Sequence, residues 1–208
     1  KKKKQTTMVT STVAGEHKPI VNAAIEYKPS GHIDVEKNSL DVPTFDALTK
    51  TFIAFDVETT GLSPTSDRIV ELGAVRFVDG QPTETFSSLV NPGIRISPSA
   101  SAVNHITNDM LYTAPTESMI YPNFVDFLGN ALNGEVVMCA HNASFDFGFL
   151  SNTLLRLGYH GKICYVDTLS LSRMYIPGLD NYKQCTLENY FALNNSASHR
   201  ATSDAENC

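Results

Sequence analysis

The sequence lacks several features that would assign it to common protein classes. No stretch approaches the run of about 18 apolar residues that a transmembrane helix requires, and no apolar stretch follows the basic N-terminus, so neither a membrane span nor a secretory signal is expected. None of the four cysteines belongs to a C-x-x-C pair, which argues against a zinc site. The three cysteines before Cys208 lie in or beside apolar runs, which indicates buried free thiols of a cytoplasmic protein. The absence of a G-x-x-x-x-G-K-[ST] motif excludes a helicase module within this chain.

Positive charge is also scarce. The chain has a net charge of −6, and from Thr51 onward eight basic residues stand against sixteen acidic ones. Proteins that bind long duplexes are usually basic. If nucleic acid is the substrate, metal ions or a partner protein must therefore supply the positive charge locally.

The composition changes near residue 50. We interpret residues 1–50 as an N-terminal extension of unknown role, with a loose hairpin that ends in a linker around Val42-Pro43-Thr44. Residues 51–208 form the second and main domain. Their apolar segments are long enough to build a core.

The main domain begins with three predicted strands, at residues 51–57, 69–78 and 85–90. Asp79-Gly80 is a hairpin signal, so these strands form an antiparallel meander. Strands at 136–140 and 163–166 then alternate with helices at 118–132, 144–157, 168–175 and 186–193, which favours parallel pairing through helical crossovers. The prediction is an α/β fold with a mixed five-stranded sheet, three antiparallel strands and then two parallel ones, flanked by helices.

Three short segments carry candidate chemistry. Asp56 and Glu58 lie two apart on a strand, so both carboxylates face the same way and would suit a divalent cation. Asp146 lies in the first turn of a predicted helix, where the helix dipole also favours an acid. His199 and Asp204 are five residues apart, about 140° around a helix, so they meet only if the histidine precedes the helix. Taken alone, the first segment is also compatible with a solvated strand end and the third with surface residues, and the helix dipole alone could explain Asp146.

Together the three segments resemble the DEDDh exonuclease family of the ribonuclease H-like fold, including the proofreading exonucleases of bacterial replicative polymerases. The matching text is F-D-V-E-T-T-G at 55–61, H-N-x-x-F-D at 141–146 and H-R-A-x-x-D at 199–204. The resemblance covers residues 51–208. It implies a metal-dependent 3′→5′ exonuclease that releases nucleoside 5′-monophosphates from single-stranded or frayed DNA 3′ ends.

The resemblance also implies roles for individual residues. Asp56, Glu58, Asp146 and Asp204 would hold two divalent ions, Mg²⁺ or Mn²⁺, and His199 would accept the proton of the attacking water. The implied substrate contacts are Thr59, Thr60, Gly61, Leu62, His105, Ile106, Asn142 and Phe145. Core positions for Leu62 and Ile106, and a helix cap for Asn142, stay open as alternatives. Asp167 is expected to cap a helix and is left out of the metal set.

Three functions remain open from the sequence. They are a DNA exonuclease in proofreading or repair, an RNA-trimming exonuclease of the same family, and a non-catalytic module that binds nucleic-acid ends or a polymerase partner. A polymerase or another replication or repair protein would supply processivity. The chain stops four residues after Asp204, which leaves open either a weakly anchored last ligand or a fragment of a longer protein.

Overall fold

The computed structural model describes residues 7–8, 31–193 and 200–208. In the described ranges no helix is long and apolar enough to cross a membrane. The strands are β1 (Thr7–Met8), β2 (His32–Lys37), β3 (Thr51–Thr59), β4 (Ile69–Val78), β5 (Gln81–Leu89), β6 (Val137–Ala140) and β7 (His160–Asp167). The helices are α1 (Val42–Lys50), α2 (Pro98–Asn104), α3 (Asn108–Thr113), α4 (Glu117–Leu128), α5 (Ser144–Arg156), α6 (Thr168–Tyr175), α7 (Gln184–Phe191) and α8 (Ala201–Glu206), with a 3-10 turn at Gly129–Leu132.

The strands form one mixed sheet in the order β1-β5-β4-β3-β6-β7-β2. The predicted meander of β3, β4 and β5 is confirmed, as is the parallel pairing of β6 with β3 and of β7 with β6. The predicted count of five strands is wrong, because the described residues contribute seven. Both additional strands come from the N-terminal segment and lie at opposite edges of the sheet.

The hairpin between β4 and β5 forms where the sequence indicated it. Asp79 and Gly80 both have positive φ, 50° and 70°. Two consecutive residues with positive φ are the requirement of the tight hairpin turn that matches strand twist. Asp and Gly are among the residues that adopt this conformation at low cost.

The core lies between the sheet and helices α4 and α5. All four residues of β6 are buried, as expected for a strand covered on both faces. Phe55 of β3 stacks near Phe124 of α4 and Phe147 of α5, with ring centroids 5.8 and 5.7 Å away. This packing holds the end of β3 in a fixed position relative to the start of α5.

The prediction of a linker at residues 42–44 is wrong. Helix α1 begins there, and the Asp41 side chain accepts a hydrogen bond from Thr44 N–H at 2.9 Å while Pro43 occupies the first turn. The predicted hairpin lies mostly outside the described residues. Within the described part, residues 32–37 pair in parallel with β7 instead of with a neighbour in sequence.

Helices α2 and α3 were not predicted, although each has a side-chain cap. Ser97 accepts from Ala100 N–H at 3.1 Å, and Thr107 accepts from Met110 N–H at 3.3 Å. The two helices have seven and six residues, which is too short to show a helical period in the sequence. They cover the β3 end of the sheet.

Candidate active site

Strand β3 brings two carboxylates to one end of the sheet. Asp56 and Glu58 leave the same face of the strand, while the intervening Val57 is buried in the core. The register of β3 with β4 shifts between Glu58 and Thr59. Such an irregularity bends a strand and ends regular pairing, so the chain turns away directly after the two acids.

A third carboxylate comes from helix α8. The helix begins at Ala201, and Asp204 N–H donates to the Arg200 carbonyl at 3.0 Å within the first turn. One carboxylate oxygen each from Asp56, Glu58 and Asp204 lie within 4.8 Å of one another. The expectation that Asp204 occupies the first turns of a helix starting after position 199 is confirmed. His199 itself lies outside the described residues.

Asp146 approaches the same place from the first turn of α5. Its side chain is 3% exposed, and Oδ1 accepts a hydrogen bond from Val57 N–H at 3.2 Å. Burial raises the pKa of Asp146 to about 8, against the opposing effect of its backbone hydrogen bonds. Three of the four predicted carboxylates therefore converge on one point, and Asp146 lies beside them against the backbone of β3.

Burial and mutual repulsion raise the pKa values of this cluster. Burial first, and then the charges of Asp146, Glu58 and Asp204, raise the pKa of Asp56 well above its usual value. Burial and the nearby charges of Glu71 and Asp204 raise the pKa of Glu58 to about 8. Such a cluster does not carry its full negative charge at neutral pH without cations. The donor set therefore fits hard divalent cations, which prefer carboxylate oxygens.

A cavity of about 370 Å³ opens beside Glu58. Its size falls within the range of roughly 300–1,000 Å³ that is usual for small-ligand sites. A ligand in this cavity would contact the carboxylate cluster through Glu58. The lining residues are Val57, Glu58, Thr59, Gly61, Leu62, Ser97, Ser99, Ala100, Val103, Asn104 and Phe145.

Comparison with known proteins shows which family has this arrangement. The family model described as Exonuclease (RNase_T) matches residues 53–208, a range that contains all four carboxylates. The chain belongs to this exonuclease family. Its members are nucleases that generally depend on divalent metal ions, in agreement with the acidic cluster.

Curated relatives of this exonuclease domain include PolC-type DNA polymerase III proteins. The chain is 35% identical over 155 residues to the one from Clostridium perfringens (strain 13 / Type A) and 39% identical over 157 residues to the one from Oceanobacillus iheyensis. These matches cover 74% and 75% of this chain but 10% and 11% of the relatives. The chain thus spans about a tenth of the length of the relatives it matches.

Solved exonuclease structures have the same fold. Exonuclease X in complex with 5′ overhanging duplex DNA is 29% identical, with a TM-score of 0.57, over 76% of this chain and 84% of that one. E. coli Exonuclease I in complex with a dT13 oligonucleotide is 19% identical, with a TM-score of 0.63, over 76% and 39%. The predicted ribonuclease H-like exonuclease fold is therefore confirmed.

Four predicted substrate contacts line the cavity of this exonuclease domain: Thr59, Gly61, Leu62 and Phe145. Leu62 is 84% exposed, so its alternative role as a core residue is excluded. A large apolar side chain exposed at a cavity mouth is suited to contact a ligand. Thr59 is buried, and its hydroxyl donates to the Gly61 carbonyl at 2.6 Å, which holds the turn closed.

The other four predicted contacts do not line the cavity. Thr60 is buried, and its hydroxyl donates to Asp67 and accepts from Arg68 N–H, so it stabilises the loop after β3. Ile106 is 1% exposed and packs in a small core cluster, which supports its alternative role. The remaining two, His105 and Asn142, are exposed and have positive φ of 59° and 65°. Asn142 makes no side-chain cap to α5.

Asn104 is a site residue that the sequence interpretation missed. It is 3% exposed, its amide donates to the Thr59 carbonyl at 3.3 Å, and its carbonyl oxygen accepts from Ile106 N–H at 3.1 Å. A further side-chain hydrogen bond to Glu58 lowers the pKa of that carboxyl, against the larger effect of burial. Asn104 therefore connects the end of α2 to the backbone of β3 directly after Glu58. An isolated Asn gives no distinguishing signal in the sequence.

Helix α8, which carries Asp204, is held on the sheet, so the weak anchoring that the sequence left open as one alternative is not observed. Ala201 and Ala205 of α8 are fully buried against the sheet. The Gln184 side chain donates to the Asp204 carbonyl at 2.6 Å, and Asn207 donates to the buried Glu188 at 3.1 Å. Helix α7 thus holds α8 in position although α8 has only six residues.

Asp167 caps a helix, as the sequence predicted. Its Oδ1 accepts from Leu169 N–H at 3.2 Å and caps α6, and the same oxygen accepts from Asn142 and Ala143 N–H. Lys37 of β2 bonds to the other oxygen at 3.2 Å. Strand β2 therefore contacts the loop between β6 and α5 through this one carboxylate.

Proposed function

We propose that this chain is a 3′→5′ exonuclease domain that releases nucleoside 5′-monophosphates from DNA 3′ ends, in proofreading or repair. One observation supports this most directly. Asp56, Glu58 and Asp204 present oxygens within 4.8 Å of one another, with Asp146 beside them, at the side of a cavity large enough for a nucleotide. Phosphodiester cleavage with divalent cations requires such a cluster next to a substrate pocket.

The proposal gives the carboxylates one shared task. Asp56, Glu58 and Asp204, with Asp146, would hold two divalent ions, Mg²⁺ or Mn²⁺. Bound ions supply positive charge to the reacting phosphate and lower the pKa of water. His199 would accept the proton of the attacking water, because a histidine titrates near the pH at which a general base works best.

The cavity would hold the 3′-terminal nucleotide. Thr59 and Gly61 form the turn beside the carboxylates, and Leu62 and Phe145 offer apolar surface for a base. Exposed His105 and Asn142 remain candidates for contacts outside the cavity. The phosphate on the 5′ side of the terminal nucleoside would then lie next to Glu58.

The charge of the chain favours action on single 3′ ends. Residues from Thr51 onward carry eight basic and sixteen acidic side chains, so a broad phosphate-binding surface is not available. A polymerase or another replication or repair protein would hold the DNA, as suggested by the polymerase relatives. A cytoplasmic location is part of the same proposal and agrees with free thiols at all four cysteines.

The test uses single-stranded DNA and RNA of equal sequence, each labelled at the 3′ or the 5′ end, with Mn²⁺ or with chelator. We expect labelled mononucleotide as the first product of the 3′-labelled DNA and a ladder from the 5′-labelled DNA. Asp56→Ala should reduce both to the level seen with chelator. Asp126→Ala is the matched control, because Asp126 is exposed on α4 and belongs to no part of the site.

Other outcomes would identify other functions. Faster release from RNA than from DNA would favour an RNA-trimming exonuclease. Binding of labelled ends without release of any nucleotide from DNA or RNA would contradict the enzyme proposal and favour a non-catalytic end-binding module. A labelled oligonucleotide instead of a mononucleotide as the first product of the 3′-labelled DNA would indicate internal cleavage and contradict the exonuclease proposal.

A further inference from the structure

Glu71 is the one charged residue in the first seven residues of β4, Ile69 to Val75, all of which are buried. It lies on β4 directly opposite Glu58 of β3, is 1% exposed, and has fully buried Val70 and Leu72 as neighbours. A carboxylate in such a place is costly unless its oxygens are paired. The contacts that pair it therefore indicate why an acid occupies this position.

Both oxygens of Glu71 bind the first residues of the Asp204 segment. Arg200 Nε lies 3.0 and 3.3 Å from the two oxygens, and Arg200 Nη2 lies 2.6 Å from Oε1. The backbone N–H of Ala201 donates to Oε2 at 3.3 Å. One side chain thus fixes the guanidinium and the backbone at the start of α8. Since both oxygens are occupied, Glu71 is not placed as a metal ligand.

Gly73 fixes the same backbone at short range. Glu71 and Gly73 are two residues apart on β4 and face the same side of the sheet. A Cβ on Gly73 would lie 2.1 Å from the Ala201 carbonyl carbon, so the helix start rests directly on the strand. Glu71 therefore binds the start of α8 where β4 and the helix are already in contact.

Glu71 binds Arg200, and one helical turn connects Arg200 to Asp204. Asp204 N–H donates to the Arg200 carbonyl at 3.0 Å, so a shift of residue 200 moves the Asp204 carboxylate with it. Arg200 also places a positive charge near Glu58. Arg200 therefore fixes the start of the helix that carries Asp204 and offsets part of the repulsion that Glu71 and Asp204 exert on Glu58.

We propose that Glu71, acting through Arg200 and Ala201, is a positioning residue that holds Asp204 at the metal site. This inference rests on the proposed exonuclease function but concerns residues outside the metal ligands. Groups that orient ligands without touching the ion typically change metal affinity or activity about 10–100-fold when they are lost.

The test compares Glu71→Gln and Arg200→Lys with wild type. Glu71→Gln keeps an acceptor but removes the charge, and Arg200→Lys keeps the charge but loses the two-pronged contact. Mn²⁺ binding is measured by the electron paramagnetic resonance signal of the free ion. The Mn²⁺ concentration that gives half-maximal nucleotide release is measured in a separate assay. Tm is recorded with chelator. Glu84→Gln is the matched control, since the exposed Glu84 of β5 pairs with Arg76, five residues along β4 from Glu71.

We expect Glu71→Gln to weaken Mn²⁺ binding and to raise the half-maximal Mn²⁺ concentration by about tenfold or more. Saturating Mn²⁺ should restore much of the lost rate. Arg200→Lys should fall between Glu71→Gln and wild type, and Glu84→Gln should match wild type. If Glu71→Gln does not fold, Arg200→Lys decides alone, because half of the Arg200 side chain is exposed and tolerates the exchange.

A lower Tm with unchanged Mn²⁺ binding in Glu71→Gln, or in Arg200→Lys when it decides alone, would overturn the inference. That result would mean that the pair stabilises the fold without positioning Asp204. The proposed function is tested by a different result. If wild type binds Mn²⁺ but releases no nucleotide, the exonuclease proposal fails, while the Mn²⁺ affinities of the variants still test the positioning role.

Discussion

At the scale of single residues, Asp146 combines two roles that substitution can separate. Its oxygen accepts the Val57 N–H inside the core, and its charge lies next to Asp56. A hydrogen-bond acceptor is required for the first role and a negative charge for the second. An amide has an acceptor oxygen without the charge, so Asn and Ala at this position are expected to behave differently.

Asp146→Asn should keep the Val57 hydrogen bond and remove a buried carboxyl whose pKa is raised. We expect a Tm with chelator at or above that of wild type, together with nucleotide release reduced to the level seen with chelator. Asp146→Ala should lose activity as well. Its free energy of unfolding should also fall by about 1–3 kcal/mol, because the buried Val57 N–H is left unpaired. Release near the wild-type rate in Asp146→Asn would show that the charge is not needed.

The raised pKa of Glu58 predicts how stability depends on pH in the metal-free protein. The ordinary value is 4.5 and the folded value is about 8. Between these values the folded state binds more protons than the unfolded state, so the free energy of unfolding falls as pH rises, and the fall ends above pH 8. We expect Tm with chelator to decrease from pH 5 to pH 8, less steeply in Glu58→Gln. A Tm that rises over this interval in wild type would contradict the predicted shift.

The site was predictable where chemistry and spacing coincide. Asp56 and Glu58 follow from strand geometry, and Asp204 from the requirement that a helix start after position 199. Asn104 and Glu71 were missed because their roles depend on contacts with residues 46 and 129 positions away in sequence, Glu58 and Arg200. The one available signal was Glu71 itself, an acid within the apolar run Ile69 to Val75, since a buried charge usually has a partner.

At the scale of elements, the contact of α8 with β4 depends on the absence of a side chain. The Ala201 backbone occupies the space that a Cβ on Gly73 would need, with the nearest atom at 2.1 Å. Backbone cannot move aside as a flexible side chain can. A methyl group at position 73 is therefore large enough to displace the helix that carries Asp204.

Gly73→Ala should lower Tm, weaken Mn²⁺ binding and reduce nucleotide release together. Gly148→Ala is the matched control, because Gly148 lies inside α5 and its Cβ would meet Pro64 side-chain atoms at 3.7 Å, an ordinary contact. Ala in a helix interior is favoured over Gly by roughly 0.5–1 kcal/mol, so Gly148→Ala should be neutral or stabilising. Full activity in Gly73→Ala would show that α8 can shift without loss of the site.

Most elements of the main domain were predictable, and the missed ones have a common cause. The strands β4 and β6 and the helices α5 and α6 have enough apolar residues at a regular period to be recognised. Strand β2 pairs at the sheet edge and five of its six residues are exposed, so its sequence shows little alternation. Its partner is β7, and nothing local in residues 32–37 specifies that choice.

At the scale of the whole molecule, the excess of acidic residues predicts that single-stranded DNA binds weakly and that its affinity depends little on salt concentration. A protein that contacts one or two phosphates of a single strand should show a slope of about −1 in a plot of log affinity against log salt. We expect this slope with Ca²⁺ in place of the catalytic ion and much weaker binding with chelator, measured by fluorescence anisotropy. A steep slope that persists with chelator would reveal a basic surface and contradict the proposal.

The position of β2 also has a consequence for the order of folding. Lys37 and its partner Asp167 are 130 residues apart in sequence, and β2 is synthesised before strands β3 to β7. Contacts of such long range require closure of a long loop and form slowly. The sheet from β3 to β7 should therefore assemble first, and β2 should join it in a late step. Until then the edge of β7 is open to other strands, which makes this interval the period of greatest risk for misassembly.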